Sequence, residues 1–311
     1  MFLEFCSRSL LLIATITGLA GCRMYAPIHV WQTPEIESTV GKRVVVSEIE
    51  GAEDISDQLS EKLIAMAPND TGREVSVVRA SELEKESDVQ LASASQGATS
   101  DIALASYASE QGYDYVLRGE LLKDRGRRAL EIKNRMAVSW RLFSLTENRP
   151  VGGKPVIVEL DAVLKKYPEL SLAGSDEDIL QAAMVRETFN LLTPSIKRDE
   201  IQLAIPYLLP GSKQVRKANI LAMNGRWFEA KEIWQTVAEK QPLQVAAMHN
   251  LALAFAAEQD FSSAKHYARK AIRARPTQLN KQSLMWIEIQ QRQYHNAFNL
   301  PDPPEGWFVT K

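Results

Sequence analysis

From Leu130 to Leu142 apolar and polar side chains alternate: Leu130, Ile132, Met136, Val138, Trp140 and Leu142 against Glu131, Lys133, Arg135, Ser139 and Arg141. Asn134 alone interrupts the apolar set. A period of two places successive side chains on opposite faces of a half-buried strand. The turn "TENRP" then leads to "KPVIVEL", the expected hairpin partner. Three β-branched or aromatic runs predict further strands: "KRVVVSEI" (Lys42 to Ile49), "REVSVVRA" (Arg73 to Ala80) and "YDYVLRGEL" (Tyr113 to Leu121). "DEIQLAI", Asp199 to Ile205, is a last strand candidate.

Between these runs the period changes to that of a helix. Ile55, Leu59, Leu63 and Met66 share one face and stop before Pro68. Asp101 to Gln111 forms a second helix ended by Gly112. Ile179, Ala182, Val185, Phe189 and Leu192 line the inner stripe of a third, opened by Asp176 to Asp178, whose charge suits a helix N-terminus. Strands alternating with helices, followed by a long antiparallel hairpin, predict a mixed α/β sandwich over residues 42–208. The order of elements, with "RVVVSEI" and "LASYASEQGYDYVLRGEL", resembles the small α/β domain of the curli secretion pore lipoprotein, of cell-wall-synthase activators and of the amino-terminal part of TolB. Those domains carry an Asn-rich loop after the first strand; here Gly51-Ala52-Glu53 stands in its place.

The C-terminal third matches itself at a shift of thirty-four residues. Ala218 meets Ala252, Leu221 meets Phe255, Trp227 meets Phe261, Ala230 meets Ala264, Val237 meets Ala271 and Pro242 meets Pro276. Small residues at 218, 230, 252 and 264 let paired helices approach closely. This pattern resembles the tetratricopeptide repeat, whose period is thirty-four. It predicts an α-helical hairpin array over 211–295, two repeats with a capping helix from Asn280 to Tyr294. The resemblance implies a groove for a protein or peptide partner, lined by Asn219, Met223, His249, Asn250 and Leu253. Asn219 and Asn250 stand where the carboxylate-clamp subgroup places its asparagines. Val215, Asn280 and Leu284 replace that clamp's basic residues, so recognition of a C-terminal carboxylate is not expected. His249 reads as a plain polar contact in the groove. Lys265, Arg269 and Arg273, spaced by four, form a basic stripe: a solvated face, or a contact for anionic headgroups or an acidic partner.

The N-terminus sets the compartment. Leu10 to Ala20 is apolar or small, too short for a spanning helix of ~20 residues, and has the length of a signal-peptide core. Leu19-Ala20-Gly21-Cys22 resembles the lipobox of bacterial lipoproteins. It implies cleavage between Gly21 and Cys22 and acylation of Cys22 with palmitate-length chains. The absence of Asp at the next position, Arg23, points to the outer membrane, facing the periplasm. Residues 22–41, with two prolines and no periodicity, read as a tether. Removal of 21 of the 311 residues leaves no thiol, since Cys6 departs with the signal and Cys22 takes lipid.

Charge divides the chain. Between Gly211 and His295 thirteen Lys or Arg stand against six Asp or Glu, so with a net charge of −2 the remainder carries −9. No His-Glu-x-x-His pair, Gly-x-Ser-x-Gly elbow, phosphate loop or nucleic-acid motif occurs. Asp54 and Asp57 read as helix-start carboxylates. No catalytic residue, metal or cofactor is therefore assigned. The sequence points to a lipid-anchored envelope adaptor that binds protein through its repeat groove. A component of an oligomeric secretion or trans-envelope assembly is the structural alternative, and a glycan-acting enzyme the third. The tail, residues 296–311, is expected to dock Trp307 and Phe308.

Overall fold

The computed structural model describes residues 23–70, 72–86, 98–122 and 134–307. Gly21, Cys22, Leu130, Ile132 and Phe308, on which expectations were placed, lie outside them. The described chain divides into two units: 31–195 with 293–301, and 23–30 with 196–292 and 302–307.

The first unit is built on a five-stranded sheet of order β3-β2-β4-β5-β6. β2 (Arg43–Val46) runs parallel to β3 (Ser76–Arg79) and to β4 (Tyr115–Leu121). β5 (Arg135–Ser144) runs antiparallel to both β4 and β6 (Arg149–Glu159). Asn134, the polar break in the alternation, lies just outside β5, where its carbonyl accepts from Leu160 N–H. The β5–β6 turn passes through Asn148 at φ 49°, a left-handed conformation that Asn tolerates.

Both faces of the sheet are covered. Val44, Val46, Leu117, Met136, Val138, Trp140 and Leu142 pack with α1 (Glu53–Ala65), α4 (Leu160–Lys166) and α5 (Asp176–Leu192). Val45, with Val116 and Phe143 beside it, meets Leu83 of α2 (Ala80–Glu86) and Leu104 and Ala108 of α3 (Ala98–Glu110) on the other face. This is the mixed α/β arrangement the alternation implied. Ser175 opens α5 through a capping box with Asp178. Lys62 of α1 donates to Asp178 at 2.8 Å and, with Ser175, holds that carboxyl down to about 2.

The second unit holds a C-terminal helical array: α6 (Ser212–Met223), α7 (Trp227–Lys240), α8 (Val245–Ala257), α9 (Phe261–Ala274) and most of α10 (Gln278–Ala297). Buried Ala218, Ala230, Ala252 and Ala264 sit at the positions the repeat reserved for small residues. Gly225, at φ 77°, turns α6 into α7. Among the described residues no helix is long and apolar enough to cross a membrane.

The tether expected over 22–41 is corrected at Met24–Gln32. Met24–Gln32 form a strand, β1, paired with β7 (Ser195–Leu203) in a two-stranded sheet. Ala26, Ile28 and Val30 alternate inward at 1%, 1% and 8% exposure. Pro27 is tolerated because a strand in a two-stranded sheet keeps an edge free of ladder demand.

Candidate functional site

The expected groove residues converge, and their ligand is the chain itself. Asn219 of α6 and Asn250 of α8 are fully buried. Asn250 Oδ1 accepts from Ala204 N–H at 2.7 Å, and its Nδ2 donates to Ala204 O at 3.0 Å. Asn219 Nδ2 donates to the same carbonyl at 3.1 Å. Asn219 Oδ1 in turn accepts from Asn250 Nδ2 at 2.8 Å and from Trp234 Nε1 at 3.2 Å. The backbone of one residue just beyond β7 is thus held by a two-asparagine clamp at both its N–H and its C=O, which belong to two successive peptide groups. Trp227, at the start of α7, donates its indole N–H to Pro27 O of β1 at 2.7 Å, and Met24 Sδ lies 3.9 Å from Asn219 Nδ2.

His249 continues the face. Its Nδ1 lies 2.9 Å from Asn280 Oδ1, and Asn280 Nδ2 donates to Arg275 O at 2.8 Å. The amide is therefore oriented with its oxygen toward the ring, which assigns the proton to Nδ1. Nε2 then faces Ser283 Oγ at 3.5 Å and Gln202 O at 3.4 Å. Burial lowers the pKa of His249, against the opposing pull of Gln202 O and Asn280. The ring is neutral in the fold, whereas an unfolded histidine titrates near 6.5. Stability is thus complete above that pH and falls as acid protonates the unfolded chain preferentially, by at most about 1.4 kcal/mol per pH unit. Urea midpoints should decline between neutral pH and pH 5, and His249→Gln should flatten that decline. Equal slopes in the two chains would remove His249 from the account.

The expectation of an open groove is corrected accordingly. Asn219, His249, Asn250 and Leu253 are buried at 2% exposure or less, and only Met223 is exposed. The physical reason is that the segment after β7 supplies an extended backbone whose polar groups need partners. Ala204, Gln202, Trp234 and Asn280 were not foreseen as members of this network. Their signal is weak because a backbone ligand leaves no residue-type signature.

The basic stripe is corrected as well. Lys265 is 1% exposed and its ammonium pairs with Glu305 of the tail. Lys265 and, at longer range, Arg269 hold the Glu305 carboxyl below its ordinary range. Arg273 alone of the three is exposed. Trp307 docks as expected: Nε1 donates to Asp302 Oδ1 at 3.0 Å, and the Arg292 guanidinium lies 4.8 Å from its ring centroid.

A family model described as a domain of unknown function (DUF6340) matches residues 216–298, within the helical array. No curated protein matches the chain. Among solved structures, the PelC dodecamer from Paraburkholderia phytofirmans is similar at TM-score 0.28 and 11% identity, over 53% of this chain and 97% of that one. The C-terminal domain of LpoB from Escherichia coli is similar at 0.26 and 16%, over 39% and 84%. The lipoprotein GNA1162 from Neisseria meningitidis is similar at 0.27 and 14%, over 49% and 99%. TM-scores of this size are too low to establish a shared fold.

In the first unit a cleft of about 830 Å³ lies at the carboxyl ends of β2, β3 and β4. Arg118 pairs with Glu50 there, and Arg79 of the lining pairs with Glu61 of α1, while Glu48, Glu53 and Asp57 bring further negative charge. The carboxylates do not cap α1: its N-cap is Ala52, without a side-chain bond. Among the described residues no group of three His, Cys, Asp or Glu side chains is placed to hold a metal ion.

Proposed function

We propose that this protein is a lipid-anchored adaptor of the bacterial cell envelope, carried on the outer membrane by acylated Cys22, whose tetratricopeptide-type array works by binding backbone rather than by catalysis. The observation that carries this reading is the clamp: Asn250 bonds both the N–H and the C=O of Ala204, and Asn219 bonds the same C=O. An array that holds an extended strand in this manner has the chemistry of a peptide-binding scaffold. Here it spends that chemistry on its own chain, joining the segment after β7 and the strand that follows the anchor to the repeats. A protein partner then meets the remaining surfaces of the chain or displaces residues 202–204. The lipobox supports the anchor, and the thirty-four-residue register supports the repeat type.

Cys22→Ala should move the protein from the membrane pellet to the soluble or uncleaved fraction. The wild-type N-terminal peptide should carry the mass of acyl chains on Cys22. Unmodified Cys22 in the wild type would sink the anchor. In-cell crosslinking of the wild type should yield a discrete envelope protein adduct on a gel. A chain that yields no adduct from any probed surface would sink the adaptor.

A further inference from the structure

The loop that enters α6 has the sequence Pro206-Tyr207-Leu208-Leu209-Pro210, and it displays its apolar side chains to solvent. Tyr207, Leu208 and Leu209 are 63%, 100% and 47% exposed. Leu243, in the α7–α8 connection, is 80% exposed. The two loops are neighbours, since Gln244 Nε2 donates to Pro210 O at 3.0 Å. Four large apolar side chains therefore share one end of the array. Scattered exposed leucines are ordinary, but a cluster of this kind marks an interaction surface.

The exposure is not slack. Ser212 Oγ donates to Leu209 O at 2.6 Å and accepts from Leu209 N–H at 3.2 Å, and Arg216 Nη2 donates to Pro206 O at 3.1 Å. Leu208 has φ 54°, a left-handed conformation that a bulky side chain resists. Two prolines and these bonds hold the loop in a shape that keeps Leu208 wholly out of the core.

Two further observations say what covers it. The first is charge: between Glu200 and Glu229 there is no acidic residue, while Lys213, Arg216, Lys217 and Arg226 all fall there. Lys213, Arg216 and Lys217 are exposed on the α6 turns directly behind the loop, and Lys240 ends α7 nearby. Glu239, bonded by Gln235, is the acidic neighbour on that last turn. The second is the course of β1. Pro27 sits at Trp227, at the far end of α6, and Met24 at Asn219, midway along it, so β1 read backwards heads toward the start of α6. Asn219 lies seven residues from Ser212, roughly 10 Å along the helix. Two Cα steps carry the chain from Met24 back to Cys22, about 7 Å at most.

We infer that the Tyr207–Leu209 loop with Leu243 is a membrane-contact surface, its leucines entering the acyl–headgroup boundary and Lys213, Arg216, Lys217 and Lys240 meeting anionic headgroups. The inference rests on the reading of Cys22 as the lipid anchor. An anchor at this end brings the loop to the bilayer, and a basic rim around apolar side chains is the composition that interfacial elements use.

The test uses the full chain purified from membranes and reconstituted into vesicles of phosphatidylethanolamine and phosphatidylglycerol. Leu208→Cys, labelled with the environment-sensitive fluorophore NBD and located by peptide mass, is compared with labelled Ser262→Cys on the exposed side of α9. The label at 208 should shift to the blue, brighten severalfold and be quenched by spin-labelled lipid, whereas that at 262 should do none of these. Leu208→Gly, which relaxes the left-handed backbone and removes the side chain, should fold and should weaken protection of the loop against protease on vesicles.

Identical emission at 208 and 262 would overturn the inference. If the wild-type peptide nonetheless carries acyl chains, the anchor reading survives without it. A blue shift that follows protein concentration in detergent without lipid would overturn it in favour of a contact between copies. A lipid-dependent shift with unmodified Cys22 would retain the loop contact and remove the anchor.

Discussion

Replacing Asn250 by alanine is expected to lower the unfolding free energy by about 3 kcal/mol. The side chain makes three hydrogen bonds, two to Ala204 and one to Asn219, and all of it is buried. Truncation leaves Ala204 N–H without its acceptor and takes one partner from Asn219 Oδ1. A buried group left unsatisfied costs about 1–3 kcal/mol, and the half-buried Ala204 recovers part of this from water. Asn219→Ala removes a donor to the same carbonyl and the acceptor of Trp234 Nε1, so the two substitutions share partners. Their double-mutant cycle should show coupling of about 1 kcal/mol or more. The measurement is urea unfolding of the wild type, both single variants and the double variant. A change below about 0.5 kcal/mol on truncating Asn250 would mean that the segment after β7 is held by strand pairing alone. Hydrogen exchange at the Ala204 amide gives the local answer, since loss of its acceptor should deprotect it.

The second large effect lies in the sheet. Trp140 is fully buried at the centre of β5, directly opposite Gly119 of β4. A Cβ on Gly119 would lie 2.7 Å from Trp140 Cζ3 and 3.2 Å from Ile49 Cγ2, so the glycine exists to admit the indole. Trp140→Ala is expected to cost about 4 kcal/mol through lost burial and the cavity left behind. Gly119→Ala should cost about 2 kcal/mol by overpacking. The two faults oppose each other in space. In the double variant the methyl occupies a little of the vacated volume, and the total should fall short of the sum by 1 kcal/mol or more. Strict additivity would show that Gly119 is required for its backbone and not for the space it leaves. Among the described residues Trp140 Nε1 has no hydrogen-bond partner, so Trp140→Phe should lose packing without losing a bond.

What local pattern could say, it said well. Period two across Arg135 to Leu142 determined β5 and which of its residues face the core, because strand geometry is written in adjacent residues. The thirty-four-residue register determined α6 to α9: Trp227 and Phe261, aligned at that shift, each open a helix. The acidic run Asp176 to Asp178 opened α5 as read, although the Ser175 cap that completes it was not singled out. Gly119 lay within the strand read from Tyr113 to Leu121, but nothing local showed the indole that needs its space.

Tertiary structure decided the rest. β1 looked like a tether because two prolines hid the alternation of Ala26, Ile28 and Val30, and its partner β7 begins more than 160 residues later. Asn219 and Asn250 were legible as groove residues, yet the groove's occupant is the backbone of Ala204, which carries no side-chain signature. Lys265 kept the spacing of a solvated stripe until the tail brought Glu305 to it from forty residues away. A sequence records which surfaces are apolar, small or charged. Which backbone comes to satisfy a buried amide, or which carboxylate neutralises a buried lysine, depends on closing long loops, and that cost is met only by all the contacts of the fold together.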